Sequence, residues 1–179
     1  MMRELGVLGN AFWGVCLLRT RPQDIPASHP LYLLLLGLYT AANLLVQLFG
    51  ASGLEALSSS LIESALLVAF TRGLLGLRGL QVRAMQTLTA LLGTGVVMTP
   101  PALALRIWFV RLDHAQAHSE LANVLWIGFF VWNLFVTAHV LRHALEVRLF
   151  VGFSLALSYV MILLMTVVAL HQAAFQTAT

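Results

Sequence analysis

Seven carboxylates, six histidines and one cysteine are the titratable side chains of this 179-residue sequence that suit acid–base, metal-ligand or nucleophile chemistry. The densest polar grouping lies near its middle. Thr40, Asn43 and Gln47 follow i, i+3, i+7 spacing, and Glu55, Ser59 and Glu63 follow i, i+4, i+8. Each set therefore falls on one stripe of a helix. The intervening Gly50-Ala51-Ser52-Gly53 is a tight turn, so the two stripes fold onto each other. Gln47 is expected to face Glu55, Asn43 to face Ser59 or Ser60, and Thr40 to face Glu63. Glu63 lies about 14 Å along its helix from the turn, at 1.5 Å per residue. An acid that deep in an apolar stretch costs about 2.5–3.5 kcal/mol on insertion scales, so it is either protonated or paired. Two roles fit the seam. One is interhelical hydrogen-bond glue, worth about 0.6–2 kcal/mol per bond; the other is a proton or ion site.

Two His-x-x-x-His pairs, His114/His118 and His139/His143, have the spacing that puts both rings on one helical face, as a metal site requires. Asp113 and Glu120 flank the first pair. Two histidines do not close a site, and the pairs fall at opposite membrane faces and cannot share a metal, so no cofactor is expected. Pro100 and Pro101 interrupt an apolar run and should kink or break its helix. Broken helices line transport sites, and prolines also occur in plain packed bundles. Cys16 has apolar neighbours and no second cysteine, which excludes an internal disulfide and points to a buried thiol. No Ser-His-Asp elbow, phosphate-cradling glycine loop or HExxH motif is present, so no catalytic residue is expected.

The elements that must position these groups follow from composition. Hydrophobic residues make up 60% of the chain and charged ones 9%, with a mean hydropathy of +0.90. A soluble domain carries roughly 25% charged residues. This composition excludes a soluble enzyme, and the scattered arginines are unlike the clustered basic face of a nucleic-acid module. The expected class is an all-α integral membrane protein, with about 20 residues per crossing. Five apolar stretches supply the crossings: 31–50, 54–77, 84–110, 122–141 and 149–170.

Residues 1–30 precede them and a short tail, 171–179, follows. Residues 5–18 imitate a signal peptide, but Arg19-Thr20-Arg21-Pro22 comes where a small-residue cleavage site would be. Leu5, Leu8, Phe12 and Val15 share one face of an amphipathic helix too short to cross. It is expected to lie on the membrane surface, with Trp13, Arg19 and Arg21 touching lipid headgroups; a sixth, short crossing is the alternative. Pro22, Pro26 and Pro30 mark a linker in which Ser28 caps the first crossing. Ser154 and Ser158, opposite Asn133, suggest a small-residue packing face.

All ten basic residues are arginines. With five crossings, Arg3, Arg19, Arg21, Arg72, Arg78, Arg83, Arg142 and Arg148 fall on one side, and Arg106 and Arg111 on the other. The positive-inside rule then places the N-terminus in the cytoplasm and the C-terminus in the periplasm of a bacterial inner membrane.

The run Leu17-Leu18-Arg19-Thr20-Arg21-Pro22-Gln23-Asp24-Ile25-Pro26, followed by five closely spaced crossings, resembles the Yip1-like membrane proteins and the small bacterial inner-membrane proteins grouped with them. The Asp-Leu-Tyr-Gly-Pro signature of the eukaryotic members is absent, so their trafficking role does not carry over. The resemblance implies a non-enzymatic membrane protein that acts through partners: the lipid bilayer, other membrane proteins or a second copy, and no nucleic acid. With short loops, no extramembrane domain and no catalytic motif, the expected function is a scaffold or accessory subunit of a larger inner-membrane assembly. Two alternatives stand beside it. One is a small transporter or proton/ion pathway using Glu63 and the kinked third crossing. The other is a metal- or haem-binding membrane enzyme using the histidine pairs.

Overall fold

The computed structural model describes residues 2–26, 28–117 and 119–177, and the side chains of 6–26, 28–117 and 119–169. It consists of six helices and two short 3-10 turns, with no strand among the described residues. The helices are α1 (Met2–Cys16), α2 (His29–Leu48), α3 (Gly53–Leu77), α4 (Ala84–His114), α5 (Glu120–Leu145) and α6 (Leu149–Thr177). Five of them, α2 to α6, are long and apolar enough to cross a membrane. The expected tail does not begin at 171, because α6 runs on to Thr177.

Local chemistry sets the ends. At the start of α3 the Ser52 hydroxyl accepts from the Glu55 N–H, while the Glu55 carboxylate accepts from the Ser52 N–H at 3.0 Å. This is a capping box, and it satisfies two donors that the first turn of a helix leaves open. Ser28 occupies the N-cap position of α2, but its hydroxyl makes no capping bond there. α5 closes on Glu146 in the left-handed conformation, and Arg83 reaches the Glu146 carboxylate at 2.6 Å and the Ala144 carbonyl at 3.5 Å. The hydroxyls of Ser60, Ser64, Thr87, Thr89, Thr94 and Thr99 donate to carbonyls four residues back. A polar side chain inside an apolar helix bundle is satisfied most cheaply by its own backbone.

α4 is the central helix and touches α1, α2, α3 and α5; α2 pairs with α3, and α6 packs on α5 and α3. Arg21, Arg78, Arg83, Arg142 and Arg148 gather at the end where α3 meets α4 and α5 meets α6, while Arg106 and Arg111 lie towards the opposite end. Arg106 there donates to the Phe49 carbonyl at 2.7 Å, holding α4 against the last turn of α2. α4 passes through Pro100 and Pro101 as one helix. The prolines deprive the Val96 and Val97 carbonyls of their donors; of the expected kink or break, the break does not occur.

Small residues do pack α5 against α6, but not the serines named from the sequence. Ser154 and Ser158 are exposed and donate to carbonyls of their own helix. The contact is made one face round, by Gly152 and the fully buried Ala156. A Cβ on Gly152 would lie 2.7 Å from the Ala138 carbonyl oxygen and 2.9 Å from the Arg142 Cβ.

The N-terminal segment departs most from expectation. Its apolar face is correctly placed on Phe12 and Val15, with Leu8 packed against the same core, but that face is covered by protein. Phe12 fills the notch at Gly93, and Cys16 packs with Met98 and Val136. The Trp132 indole donates to the Cys16 carbonyl at 2.9 Å, and Trp13 meets Trp132 edge-on. Trp132 stands halfway along α5, so α1 ends at the middle of the bundle. The chain then turns back through Leu18, a non-glycine residue held at φ 60°. It descends along α5 and α4, with the Thr20 carbonyl at His139 and the Gln23 amide at the His143 carbonyl. The Gln86 amide holds the Gln23 and Ile25 carbonyls at the arginine-rich end. From Trp132 to His143 this return covers about 16 Å of helix. It explains why α4 is buried on every side from Thr87 to Thr94 and only partly beyond Met98. Arg19 and Arg21 are exposed.

Cys16 is fully buried and is the chain's one cysteine, so it reports on this docking. Maleimide labelling of the folded protein in mild detergent should be slow and should become complete in denaturant. Equal labelling in both conditions would show that the segment is undocked.

Candidate functional site

The polar seam is real, but its register differs from expectation in ways that matter. Thr40 meets Ser64, oxygen to oxygen at 2.8 Å, one residue beyond the expected Glu63. Glu63 instead accepts from the Tyr39 hydroxyl at 3.2 Å and from the Gln47 amide at 3.5 Å. Gln47 thus reaches down the helix to Glu63, and Glu55 is engaged in its capping box, exposed at the turn. Ser59 is half-buried and does not join the group around Glu63. Four expected residues, Thr40, Asn43, Gln47 and Glu63, lie together along the α2–α3 contact.

What the seam faces was not visible in the sequence. Glu63, Tyr39 and Asn43 line a cavity of about 330 Å³ to which all five long helices contribute. α4 adds Thr94 and Thr99, α5 adds Asn133 and Thr137, and α6 adds Tyr159. The rest of the wall is apolar, with Trp126, Phe129 and Phe130 forming its aromatic side. Among the described residues Glu63 is the single ionic side chain in that lining. Two polar atoms at the wall, Asn43 Nδ2 and the Tyr159 hydroxyl, are buried beside the Tyr39 hydroxyl without a hydrogen bond of good geometry.

The cavity lies towards the end of the bundle away from the arginine cluster. A neighbouring space of about 540 Å³, lined by Arg106, Phe109 and Asn123, shares Trp126 with it. A third, of about 180 Å³, shares Phe109 and Asn123 and reaches Asp113 and Ser119 at the α4–α5 turn. Neighbouring spaces thus share wall residues between that turn and the cavity. On the other side, Leu91 and Leu134 floor the cavity above the closely packed half of α4. The tip of the N-terminal hairpin sits behind its wall, where the Cys16 thiol lies 3.9 Å from the Thr94 carbonyl.

The histidine pairs are not brought into the site. His139 and His143 stack edge-on, with ring centroids 4.6 Å apart. Their Nε2 atoms are taken by the Thr20 carbonyl at 3.2 Å and the Arg142 guanidinium at 3.3 Å, so the pair docks the returning chain. His114 is the last residue of α4, and the helix ends in a turn directly after it. His118 lies outside the described residues. Among the described residues no three His, Cys, Asp or Glu side chains converge as a metal site would require.

Sequence reasoning missed Tyr39, Ser64 and Tyr159, and it assigned Asn133 to packing. Tyr39 stands at i, i+4, i+8 with Asn43 and Gln47, the spacing that groups Glu55, Ser59 and Glu63, so the stripe itself could have pointed to it. Tyr159 had no signal, since one tyrosine in an apolar run reads as core. Comparison with family models, with curated proteins and with solved structures finds no match.

Proposed function

We propose that this chain is a multi-pass integral membrane protein of a bacterial inner membrane, with its N-terminus in the cytoplasm and its C-terminus in the periplasm. We propose further that it is a small transporter or ion pathway in which Glu63 exchanges protons. Large apolar side chains such as Leu34, Leu61, Ile127 and Met165 cover the outside of the helices, as lipid contact demands. The arginine-rich end, as the cytoplasmic one, satisfies the positive-inside rule. In this frame residues 2–25 are a re-entrant segment, allowed at membrane depth because protein buries its irregular backbone.

The cavity carries the functional reading. The bundle holds a half-open cavity in the size range of ligand sites beside a carboxyl on a membrane-length helix, and an intramembrane carboxyl marks a pathway or site by default. The test is carbodiimide modification in native membranes, read by mass spectrometry. Glu63 should be labelled, faster at acid than at alkaline pH because the protonated carboxyl reacts. Labelling that is absent, or indifferent to pH while exposed Glu146 responds, would return Glu63 to the role of interhelical glue and favour the scaffold.

A further inference from the structure

We infer that the Glu63 cavity takes an organic cation with an apolar body, a lipophilic ammonium or phosphonium rather than an anion or a hydrated metal ion. The inference rests on the reading of Glu63 as a proton-exchanging group and names what competes with the proton. Its basis is the character of the wall. Among the described residues one carboxylate is the sole ionic group in the lining, and no lysine, arginine or histidine contributes to it. Arg106 lines the neighbouring space and is engaged by the Phe49 carbonyl. Trp126, Phe129 and Phe130 stand on the α5 side, and Trp126–Phe129 centroids lie 6.5 Å apart. Aromatic faces attract cations through their quadrupoles, and more strongly where water is excluded. A hydrated metal ion would require several oxygens around it, while most of this wall is carbon and ring. The neutral side-chain oxygens that are present, on Tyr39, Asn43, Thr94, Thr99, Asn133, Thr137 and Tyr159, accept from an N–H or stabilise positive charge near the carboxylate.

Proton and cation occupy the same oxygens, so each should displace the other. The titratable groups facing Glu63 are Tyr39 from α2 and Tyr159 from α6; among the described residues α4 and α5 bring none to the cavity. Neither phenol ionises in the range where a carboxyl exchanges. Competition should therefore follow one site.

Tetraphenylphosphonium and tetraphenylborate, ions of one shape and opposite charge, test this by equilibrium dialysis against the purified full chain, with empty micelles subtracted. The expected result is saturable phosphonium binding, weaker at acid pH, with borate not bound. Glu63→Gln keeps the side-chain volume and should weaken phosphonium binding about tenfold or more. Trp126→Ala should weaken it at unchanged charge and unchanged pH dependence. Wild-type protein that binds neither ion, binds both alike, or binds phosphonium equally well as Glu63→Gln overturns the inference. Carbodiimide labelling separates the two failures. If Glu63 reactivity titrates and phosphonium does not bind, the proton site stands and the organic cation falls. If reactivity does not titrate, the underlying reading falls first.

Discussion

Gly152→Leu is expected to abolish the folded bundle. The position faces backbone: a Cβ there meets the Ala138 carbonyl oxygen and the Arg142 Cβ within 3 Å, and no rotamer change moves a carbonyl out of the way. Overpacking a close interface costs about 1–3 kcal/mol even where neighbours yield. Inside a membrane, helix association depends on close packing of small residues rather than on expulsion of water. Gly152→Ala should lower the detergent melting temperature measurably, and Gly152→Leu should elute as aggregate in size-exclusion chromatography. Gly128→Ala is the control, because nothing lies within 4 Å of a Cβ at that exposed helical position. It should be neutral or stabilising by up to about 1 kcal/mol through helix propensity. A monodisperse Gly152→Leu with the wild-type melting temperature would show that α5 and α6 do not pack as described.

The contrast between Gly152 and the serines beside it shows where sequence reasoning stops. Helix identity was legible, because uninterrupted apolar runs leave no alternative, and the observed helices extend the expected stretches by a few residues at most ends. Which face of α6 meets α5 was not. A serine at helical spacing reads as polar and therefore inward, but its hydroxyl is satisfied by the carbonyl four residues back and can point anywhere. Glu55 misled for a related reason. Depth placed it opposite Gln47, yet Ser52-x-x-Glu55 is the local signature of a capping box, and a local bond formed with no loop to close outcompetes a distant partner. Glu63 has no such local option; it stays on the seam, with Tyr39 and Gln47 as partners in place of the expected Thr40. The cavity was illegible altogether. It is a property of five helices failing to fill one space, and no pairwise periodicity encodes an unfilled volume.

The docking of the N-terminal hairpin was likewise half legible. The amphipathic face on Leu8, Phe12 and Val15 was in the sequence; its partner was not, because a glycine in an apolar run gives no sign of what fills the notch it leaves. The structure puts the Phe12 ring in the notch at Gly93, where an added side chain would overlap it. Gly93→Leu should therefore force α1 off α4. At about 1–3 kcal/mol of overpacking and 1.4 kcal/mol per factor of ten, labelling of Cys16 by maleimide should accelerate about 10- to 100-fold. Phe12→Ala alone should also accelerate it, because a vacated ring leaves a cavity and lost contacts. The two together discriminate. The leucine introduced at 93 occupies much of the space that the ring gives up, so the double variant should label more slowly than either single one. Such a reversal is the coupling expected of two side chains competing for one volume. Additive acceleration would mean that Phe12 and Gly93 act independently, and α1 would then be held by Trp132, Cys16 and the His139–Thr20 bond instead.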